Sequence, residues 1–271
     1  MPPSLLAFDL DGTLLTSDKR LSRANAAALA DMASHGCVVA LASGRLGSSM
    51  MQYLKGLPCD PALLTLNGAA VYAGRKRGSR LIYSAPLSAR HADSLIEYSE
   101  GREFAVNYYF SGSLYTVRNE KTAPFNDLYY AQTGSEFHLL DSLLPMRGNS
   151  PFKIIFVGDP PVLDREEHEL RLKWGGELYI VRTWEYYLEF LNPLATKGNG
   201  LAAIAEAYGV DLSNAVAFGD ANNDIPMLKA AKTGIALKNA SEEAKRAASY
   251  VSEWTNNEDA VAKEWERLKR S

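Results

Sequence analysis

The sequence predicts an α/β protein with a doubly wound parallel-sheet (Rossmann-like) core and an inserted α+β domain. Near both ends of the chain, short apolar segments alternate with helical patterns, as in parallel strands joined by helices. Several of these apolar segments end abruptly in polar residues, which is typical of strands that run into functional loops. Between about residues 84 and 189 the pattern changes to aromatic-rich alternating segments, which predicts a second sheet.

The first half of the predicted core alternates regularly between strands and helices. The predicted elements are a strand at 5–8, a helix at 23–35, a strand at 38–42, a helix at 47–55, a strand at 62–66 and a hairpin at 71–83. Ser22 precedes the first helix as an N-cap, and His35-Gly36 ends it. The core therefore begins as a parallel sheet and closes its first half with an antiparallel pair.

The remaining elements divide between the insert and the second half of the core. The insert is predicted to contain helices near 88–100, 124–133 and 161–173 and strands at 104–110, 114–118, 153–157, 177–182 and 186–191. After it come helices at 197–208, 224–231, 241–248 and 257–269, with strands at 215–218 and 234–237. The predicted domains are thus a core over 1–83 and 190–271 and an insert over 84–189.

The composition indicates a folded protein with a small-molecule partner. Hydrophobic residues make up 46% of the 271 residues, and the net charge of -3 predicts no nucleic-acid or membrane partner. Cys37 and Cys59 lack the spacing of a zinc site or a disulfide framework, so we expect reduced thiols. No signal peptide and no apolar run of about 18 residues is apparent, which predicts a cytoplasmic protein. The oligomeric state is not predicted.

Polar residues gather at the predicted ends of several core strands. Ligands of open α/β sheets bind beyond the carboxyl ends of the strands, so these residues are expected to share one site. They are Asp9 and Asp11 after the first strand, Ser43 after the second, Asn67 after the third, Asp220 and Asp224 after a later one, and Lys197 at the start of a helix.

The pair Asp9 and Asp11 offers two carboxylates that can approach one reacting group from different directions. Such a pair can divide the roles of nucleophile and general acid/base, although an isolated D-x-D-G-T pattern also fits an Asx turn. Asp220 and Asp224 favour the catalytic interpretation, because several carboxylates in one crevice need a cation. Their hard oxygen atoms suit Mg²⁺.

Ser43 and Lys197 are candidates for phosphate binding. The Ser43 hydroxyl could donate to a phosphate oxygen, and Gly44 would let the backbone come close. Each residue also has an ordinary structural interpretation, Ser43 as a helix N-cap and Lys197 as a solvated side chain. The residues alone leave these alternatives open.

Four ordered segments resemble the motifs of the haloacid dehalogenase superfamily. They are Asp9-Leu10-Asp11-Gly12-Thr13, Ala42-Ser43-Gly44-Arg45, Thr196-Lys197-Gly198 and Gly219-Asp220-Ala221-Asn222-Asn223-Asp224. Asn67-Gly68-Ala69 and the position of the insert resemble more narrowly the Cof-like phosphatases, whose α/β cap domain the insert matches in placement and size. The resemblance covers about 1–83 and 190–271.

The resemblance implies a phosphatase that acts on small phosphorylated metabolites, such as sugar phosphates or similar monoesters. It implies that Asp9 attacks phosphorus to form an aspartyl-phosphate, while Asp11 protonates the leaving alcohol and later activates water. Mg²⁺ would be held by the carboxylates of Asp9 and Asp220 and the main-chain carbonyl of Asp11, with Asp224 orienting its shell. The phosphoryl group would be bound by the side chains of Ser43, Lys197 and Asn223 and the N–H groups of Leu10 and Gly44.

Two other functions stay compatible with this pattern. One is an intramolecular phosphomutase of the same superfamily, in which the cap retains a bisphosphorylated sugar. The other is a phospho-accepting regulatory domain of receiver type, which also uses acidic residues, Mg²⁺, Ser or Thr, and Lys. The large insert between Ser43 and Lys197 argues against the receiver, because a receiver needs no lid.

Overall fold

The computed structural model describes residues 3–54, 57 and 59–270 and contains two compact units. The first unit contains Met1–Ser84 and Thr196–Ser271, and the second contains Ala85–Ala195. Residue 55, the predicted end of the second helix, lies outside the described residues. The sequence assigns residues 190–195 to the core, whereas the structure groups them with the second unit. That the two units act as catalytic core and cap stays a prediction.

Most of the predicted strands and helices are confirmed, with bounds that differ by a few residues. The strands are β1 (Leu5–Asp9), β2 (Val38–Ala42), β3 (Ala62–Thr65), β4 (Ala70–Tyr72), β5 (Leu81–Ser84), β6 (Ala105–Phe110), β7 (Ser113–Val117), β8 (His138–Leu140), β9 (Lys153–Val157), β10 (Tyr179–Trp184), β11 (Tyr187–Leu191), β12 (Ala215–Gly219), β13 (Thr233–Ala236) and β14 (Tyr250–Val251). The α-helices are α1 (Arg23–Ser34), α2 (Gly47–Leu54), α3 (Ala89–Ser99), α4 (Ala123–Thr133), α5 (Pro160–Trp174), α6 (Lys197–Tyr208), α7 (Ile225–Ala230), α8 (Glu242–Ala247) and α9 (Ala260–Leu268). Within the described part of the chain, no helix is both long enough and apolar enough to cross a bilayer.

Two differences from the prediction have local physical causes. The sequence predicts neither β8 nor β14, because runs of 3 and 2 residues are too short to show an alternating pattern. The last helix begins at Ala260 rather than at residue 257, because Asn256–Glu258 form a 3-10 turn and Asp259 has a φ of 58°. A residue in this left-handed conformation cannot continue an α-helix.

The sheet of the first unit has eight strands among the described residues, in the order β14-β13-β12-β1-β2-β3-β4-β5. Neighbouring strands from β14 to β3 are parallel, whereas β4 and β5 pair in antiparallel fashion at one edge. β1 lies between β12 and β2, and all of its residues are buried. Since a central parallel strand is covered on both faces, β1 is a nearly continuous apolar run.

The sheet of the first unit has an apolar layer on each face. On one face, Leu6 and Phe8 belong to a cluster that includes Trp265 of α9. On the other face, Leu5 and Ala7 belong to a cluster with residues of α6 and α7. Because successive side chains of a strand point to opposite faces, β1 contributes to both layers. The two layers hold the end of β1 in a fixed position.

The second unit contains a six-stranded sheet of its own, in the order β10-β11-β9-β6-β7-β8. Its neighbouring strands are antiparallel except for β7 and β8, which are parallel. Leu95 of α3 and Leu163 and Leu170 of α5 pack with Phe156 of β9 in one apolar cluster. The second unit therefore has its own core, as an inserted domain requires.

Replacing Trp265 by Ala should destabilise the first unit by about 3–5 kcal/mol. Trp265 is fully buried, and its Nε1 donates to Asp31 Oδ2 at 2.8 Å, so truncation leaves a cavity and removes a hydrogen bond. Urea-induced unfolding measures the change. The control is Leu172→Ala, at a residue that is 78% exposed, which should change stability by less than about 0.5 kcal/mol. Similar stability losses in the two variants would contradict the packing of α9.

Candidate active site

Asp9 and Asp220 lie close together because their strands are neighbours in register. β1 and β12 are parallel, and Phe8 pairs with Phe218, so both strands deliver a carboxylate to the same edge of the sheet. Asp224 follows after a short turn, and its side chain returns to this edge. One carboxylate oxygen from each of Asp9, Asp220 and Asp224 lies within 4.8 Å of the other two.

A buried lysine compensates part of this negative charge. Lys197 is fully buried at the start of α6, and its Nζ donates to Asp9 Oδ1 at 2.6 Å and to Asp224 Oδ1. The Thr196 side chain caps α6 by accepting from the Asn199 N–H at 3.2 Å, which fixes the start of the helix. The interpretation of Lys197 as a solvated side chain is therefore wrong.

Burial and charge shift the protonation of the carboxylates and the lysine. Burial raises the pKa of Asp9 well above its usual value; Lys197 opposes this rise, and Asp224 and Asp220 add to it. Burial also raises the pKa of Asp220 to about 6, and Asp224 adds to that rise. Burial works to lower the pKa of Lys197, but the Asp224 and Asp9 carboxylates outweigh it and the pKa is raised. An additional cation would relieve the excess of negative charge.

The oxygen donors of this group fit a hard divalent cation such as Mg²⁺. Asp224 Oδ1 accepts from Lys197, and Asp224 Oδ2 accepts from the N–H groups of Asp220 and Ala221, each at 3.0 Å. Both oxygens of Asp224 therefore already accept hydrogen bonds from the protein. Opposite ligands of octahedral Mg²⁺ lie about 4 Å apart, which is compatible with oxygen atoms within 4.8 Å.

Asp11 lies outside the group of three carboxylates and has basic partners. Its Oδ2 accepts from Arg45 Nε at 2.8 Å, and its Oδ1 accepts from Lys19 Nζ at 2.8 Å and Arg45 Nη2 at 2.9 Å. Burial works to raise the pKa of Asp11, but the hydrogen bonds from Arg45 and then Lys19 outweigh it, and the pKa is lowered. Asp9 and Asp11, two residues apart, therefore have opposite electrostatic environments.

The residues predicted to bind phosphate come from segments that contact one another. The Ser43 carbonyl accepts from the Asn67 N–H at 3.0 Å, and Asn67 Oδ1 accepts from Asn223 Nδ2 at 2.9 Å. A Cβ on Gly44 would lie 3.1 Å from Asn67 Oδ1, so the close approach favours glycine. Asn67 thus connects the Ser43–Gly44 segment to Asn223.

The structure contradicts one interpretation of the sequence and bears on another, which stays a prediction. The Leu10 N–H donates to the Ala42 carbonyl at 3.2 Å as part of the pairing of β1 with β2, so a phosphate could use it only by displacing that bond. Ser43 is not a helix N-cap, because α2 begins at Gly47. Instead, Ser43 Oγ accepts from the Arg45 N–H at 3.2 Å in the turn between β2 and α2.

Three residues that hold carboxylates of the site are not predicted from the sequence. Thr13 Oγ1 donates to Asp220 Oδ1 at 2.8 Å, and Arg45 and Lys19 hold Asp11. Thr13 and Arg45 lie inside the segments that carry the family resemblance, so their positions in the sequence could have indicated that they belong to the site. Lys19 follows β1 in an irregular turn, and nothing in the local sequence indicates that its side chain returns to Asp11.

Lys197→Met should lower the free energy of unfolding by about 3–5 kcal/mol at neutral pH without divalent cations, because buried carboxylates lose their cation. Urea-induced unfolding measures this loss. Lys245→Met is the control, since Lys245 pairs with Glu242 at the surface at 3.0 Å. This control variant should lower the free energy of unfolding by less than about 1 kcal/mol. If both variants were equally stable, Lys197 would not be the compensating charge.

Comparisons with known proteins agree on one family. The family model of haloacid dehalogenase-like hydrolases matches residues 6–264. An HMP-PP phosphatase from Cronobacter sakazakii is 30% identical over 234 residues, which cover 86% of this chain and 84% of the relative. The phosphatase YwpJ from Bacillus subtilis is 26% identical over 282 aligned positions, which cover 95% of this chain and 97% of the relative.

A solved structure supports the same assignment. The haloacid dehalogenase-like hydrolase from Bacteroides thetaiotaomicron matches with a TM-score of 0.87 and 27% identity, over 98% of this chain and 99% of that one. The family model covers almost the whole chain, and the relatives named above are phosphatases. This chain therefore belongs to the haloacid dehalogenase-like hydrolase family, as a phosphoric monoester hydrolase.

Proposed function

We propose that the protein is a Mg²⁺-dependent phosphatase that hydrolyses small phosphorylated metabolites through an aspartyl-phosphate intermediate. The observation that carries the proposal is the grouping of Asp9, Asp220 and Asp224 oxygens within 4.8 Å of one another. Lys197 Nζ is bonded to two of these carboxylates. Phosphoryl transfer depends mainly on alignment and on the stabilisation of negative charge. This group offers a carboxylate nucleophile next to a positively charged lysine.

The proposed reaction has two halves. In the first, an Asp9 carboxylate oxygen bonds to phosphorus as the bond to the leaving oxygen breaks, and the Asp11 carboxyl gives its proton to that oxygen. In the second, water attacks phosphorus and gives a proton to the Asp11 carboxylate as the bond between the Asp9 oxygen and phosphorus breaks, which releases inorganic phosphate and restores Asp9. Mg²⁺, held by the carboxylates of Asp9 and Asp220 and the Asp11 carbonyl, with Asp224 orienting its shell, would neutralise charge on the transferring phosphoryl group.

The transferring phosphoryl group is proposed to be bound by donors from several segments: Ser43, the N–H of Gly44, Lys197 and Asn223. Lys197 Nζ lies 2.6 Å from Asp9 Oδ1, so a phosphoryl group bonded to Asp9 comes within reach of this ammonium. The Leu10 N–H could join these donors only if its 3.2 Å hydrogen bond to the Ala42 carbonyl were broken.

A small metabolite in the cytoplasm is the substrate that the properties of the chain favour. The slightly acidic net charge of -3 does not favour nucleic acid or an anionic membrane as the partner. Cys37 and Cys59 are both free, which suits a reducing compartment. The relative named as an HMP-PP phosphatase supports a phosphorylated metabolite as substrate. Release of free phosphate, rather than of an isomerised sugar phosphate, would distinguish this activity from that of a mutase.

Asp9→Asn should lower kcat for phosphate release by about 10⁴-fold or more, because a carboxamide is not a nucleophile toward phosphorus. Release of phosphate from 4-nitrophenyl phosphate measures the loss. Asp18→Asn is a matched control, since Asp18 is an exposed residue of the turn that follows β1. This control variant should release phosphate with the kcat of the wild type. Near-normal activity of a folded Asp9→Asn variant would rule out the nucleophile assignment.

Removal of divalent cations with EDTA should stop turnover, and added Mg²⁺ should restore it. Calorimetric titration with Mg²⁺ gives a readout that does not depend on turnover. Asp220→Asn should weaken Mg²⁺ binding by about 100-fold or more, because it removes a charged ligand. Asp211→Asn, at an exposed position, should leave binding unchanged. Unaltered Mg²⁺ affinity in Asp220→Asn would contradict the proposed metal site.

A further inference from the structure

The Asp11 carboxylate is held by a two-point contact with Arg45. Arg45 Nε and Nη2 donate to the two oxygens of Asp11 at 2.8 and 2.9 Å, and Lys19 Nζ donates to one of them at 2.8 Å. The side chains of Arg45 and Asp11 are 21% and 30% exposed, whereas that of Lys19 is 51% exposed. Two parallel N–H bonds fix the plane of a carboxylate, which a single ammonium contact does not.

Arg45 is itself fixed by its backbone and by an aromatic ring. Its N–H donates to Ser43 Oγ at 3.2 Å, and its carbonyl accepts from the Leu66 N–H at 3.0 Å. Its guanidinium lies 5.6 Å from the centre of the Tyr53 ring. A side chain that is already ordered loses less conformational entropy when it holds a partner. Arg45 is therefore suited to keep Asp11 in one orientation.

We propose that Arg45 is the positioning residue for Asp11, with Lys19 in a smaller role. This inference rests on the proposed function, in which Asp11 gives a proton to the leaving oxygen and later takes one from water. Both transfers need an Asp11 oxygen within hydrogen-bond distance of the reacting oxygen, so a freely rotating Asp11 side chain slows both. Arg45 acts through Asp11 and does not touch the substrate.

Two other roles for Arg45 lead to different results. If the contact were only a partly exposed ion pair, removing Arg45 would leave turnover unchanged. If Arg45 bound the phosphoryl group, its removal would weaken phosphate binding whether or not Asp11 were present. A double-mutant cycle separates these roles from positioning, because a residue that acts through Asp11 has no effect once Asp11 is inactive.

The experiment compares R45M, D11N and the double variant with 4-nitrophenyl phosphate and Mg²⁺. R45M should lower kcat about 100-fold and change KM less than about 3-fold, the size of loss expected for a misplaced catalytic group. In the D11N background, R45M should lower the rate less than about 2-fold. If turnover by D11N is too slow, single-turnover hydrolysis of an alkyl phosphate, whose leaving oxygen needs a proton, supplies the same comparison.

Three further variants make the test independent of any folding defect in R45M. R45K keeps the charge but loses the two parallel N–H bonds, so kcat should still fall about 10-fold or more. K19M removes the single, more exposed contact and should lower kcat less than about 3-fold. Arg75→Met is the matched control, because Arg75 is 67% exposed and pairs with Asp60, and its turnover should equal that of the wild type.

Inorganic phosphate should bind R45M and the wild type with Kd values within about 3-fold of each other. Equal losses in both backgrounds, weakened phosphate binding, or wild-type kcat in R45M or R45K would each overturn the positioning role. A wild-type protein that releases no phosphate, or an active D9N variant, would count against the proposed function instead. The two failures are therefore distinguishable.

Discussion

The buried contact of Lys197 with Asp9 and Asp224 is the interaction on which the rest of the site depends. It joins the end of β1, the start of α6 and the turn after β12, three segments that are far apart in sequence. An isolated charge buried at this depth would be strongly unfavourable, so each of these groups needs the others. The contact therefore fixes how these three segments meet.

This meeting of segments requires glycine at two positions. Gly68 has a φ of 99°, and a Cβ there would lie 2.2 Å from the carbonyl oxygen of Thr196, the residue before Lys197. A Cβ on Gly198 would lie 2.6 Å from the carbonyl oxygen of Pro226, two residues after Asp224. Because both obstacles are backbone atoms, no side chain fits without moving the segments apart. These two glycines thus have a packing role that follows directly from the position of Lys197.

The fold could be predicted wherever the sequence pattern was long enough to show its period. β1, β2 and β12 are buried runs that end at polar residues, and their parallel order explains why distant carboxylates reach one edge. β8 and β14 are too short to show a pattern. The hydrogen bond of the Leu10 N–H could not be predicted either, because it depends on how far the pairing of β1 with β2 continues. The contact of Lys19 with Asp11 depends on the path of an irregular turn, which no local pattern encodes.

The contrast between Asp9 and Asp11 shows how surroundings can separate the roles of two identical side chains. Asp9 is buried beside other carboxylates, which raises its pKa, whereas Arg45 and Lys19 lower the pKa of Asp11. Asp11 is thus held as a carboxylate before substrate binds, the form that accepts a proton from water in the second half of the proposed reaction. Its use as an acid in the first half requires a proton that Arg45 and Lys19 disfavour. A phosphoryl group that arrives with negative charge opposes the effect of these two cations, and so favours protonation of Asp11 at the step that needs it.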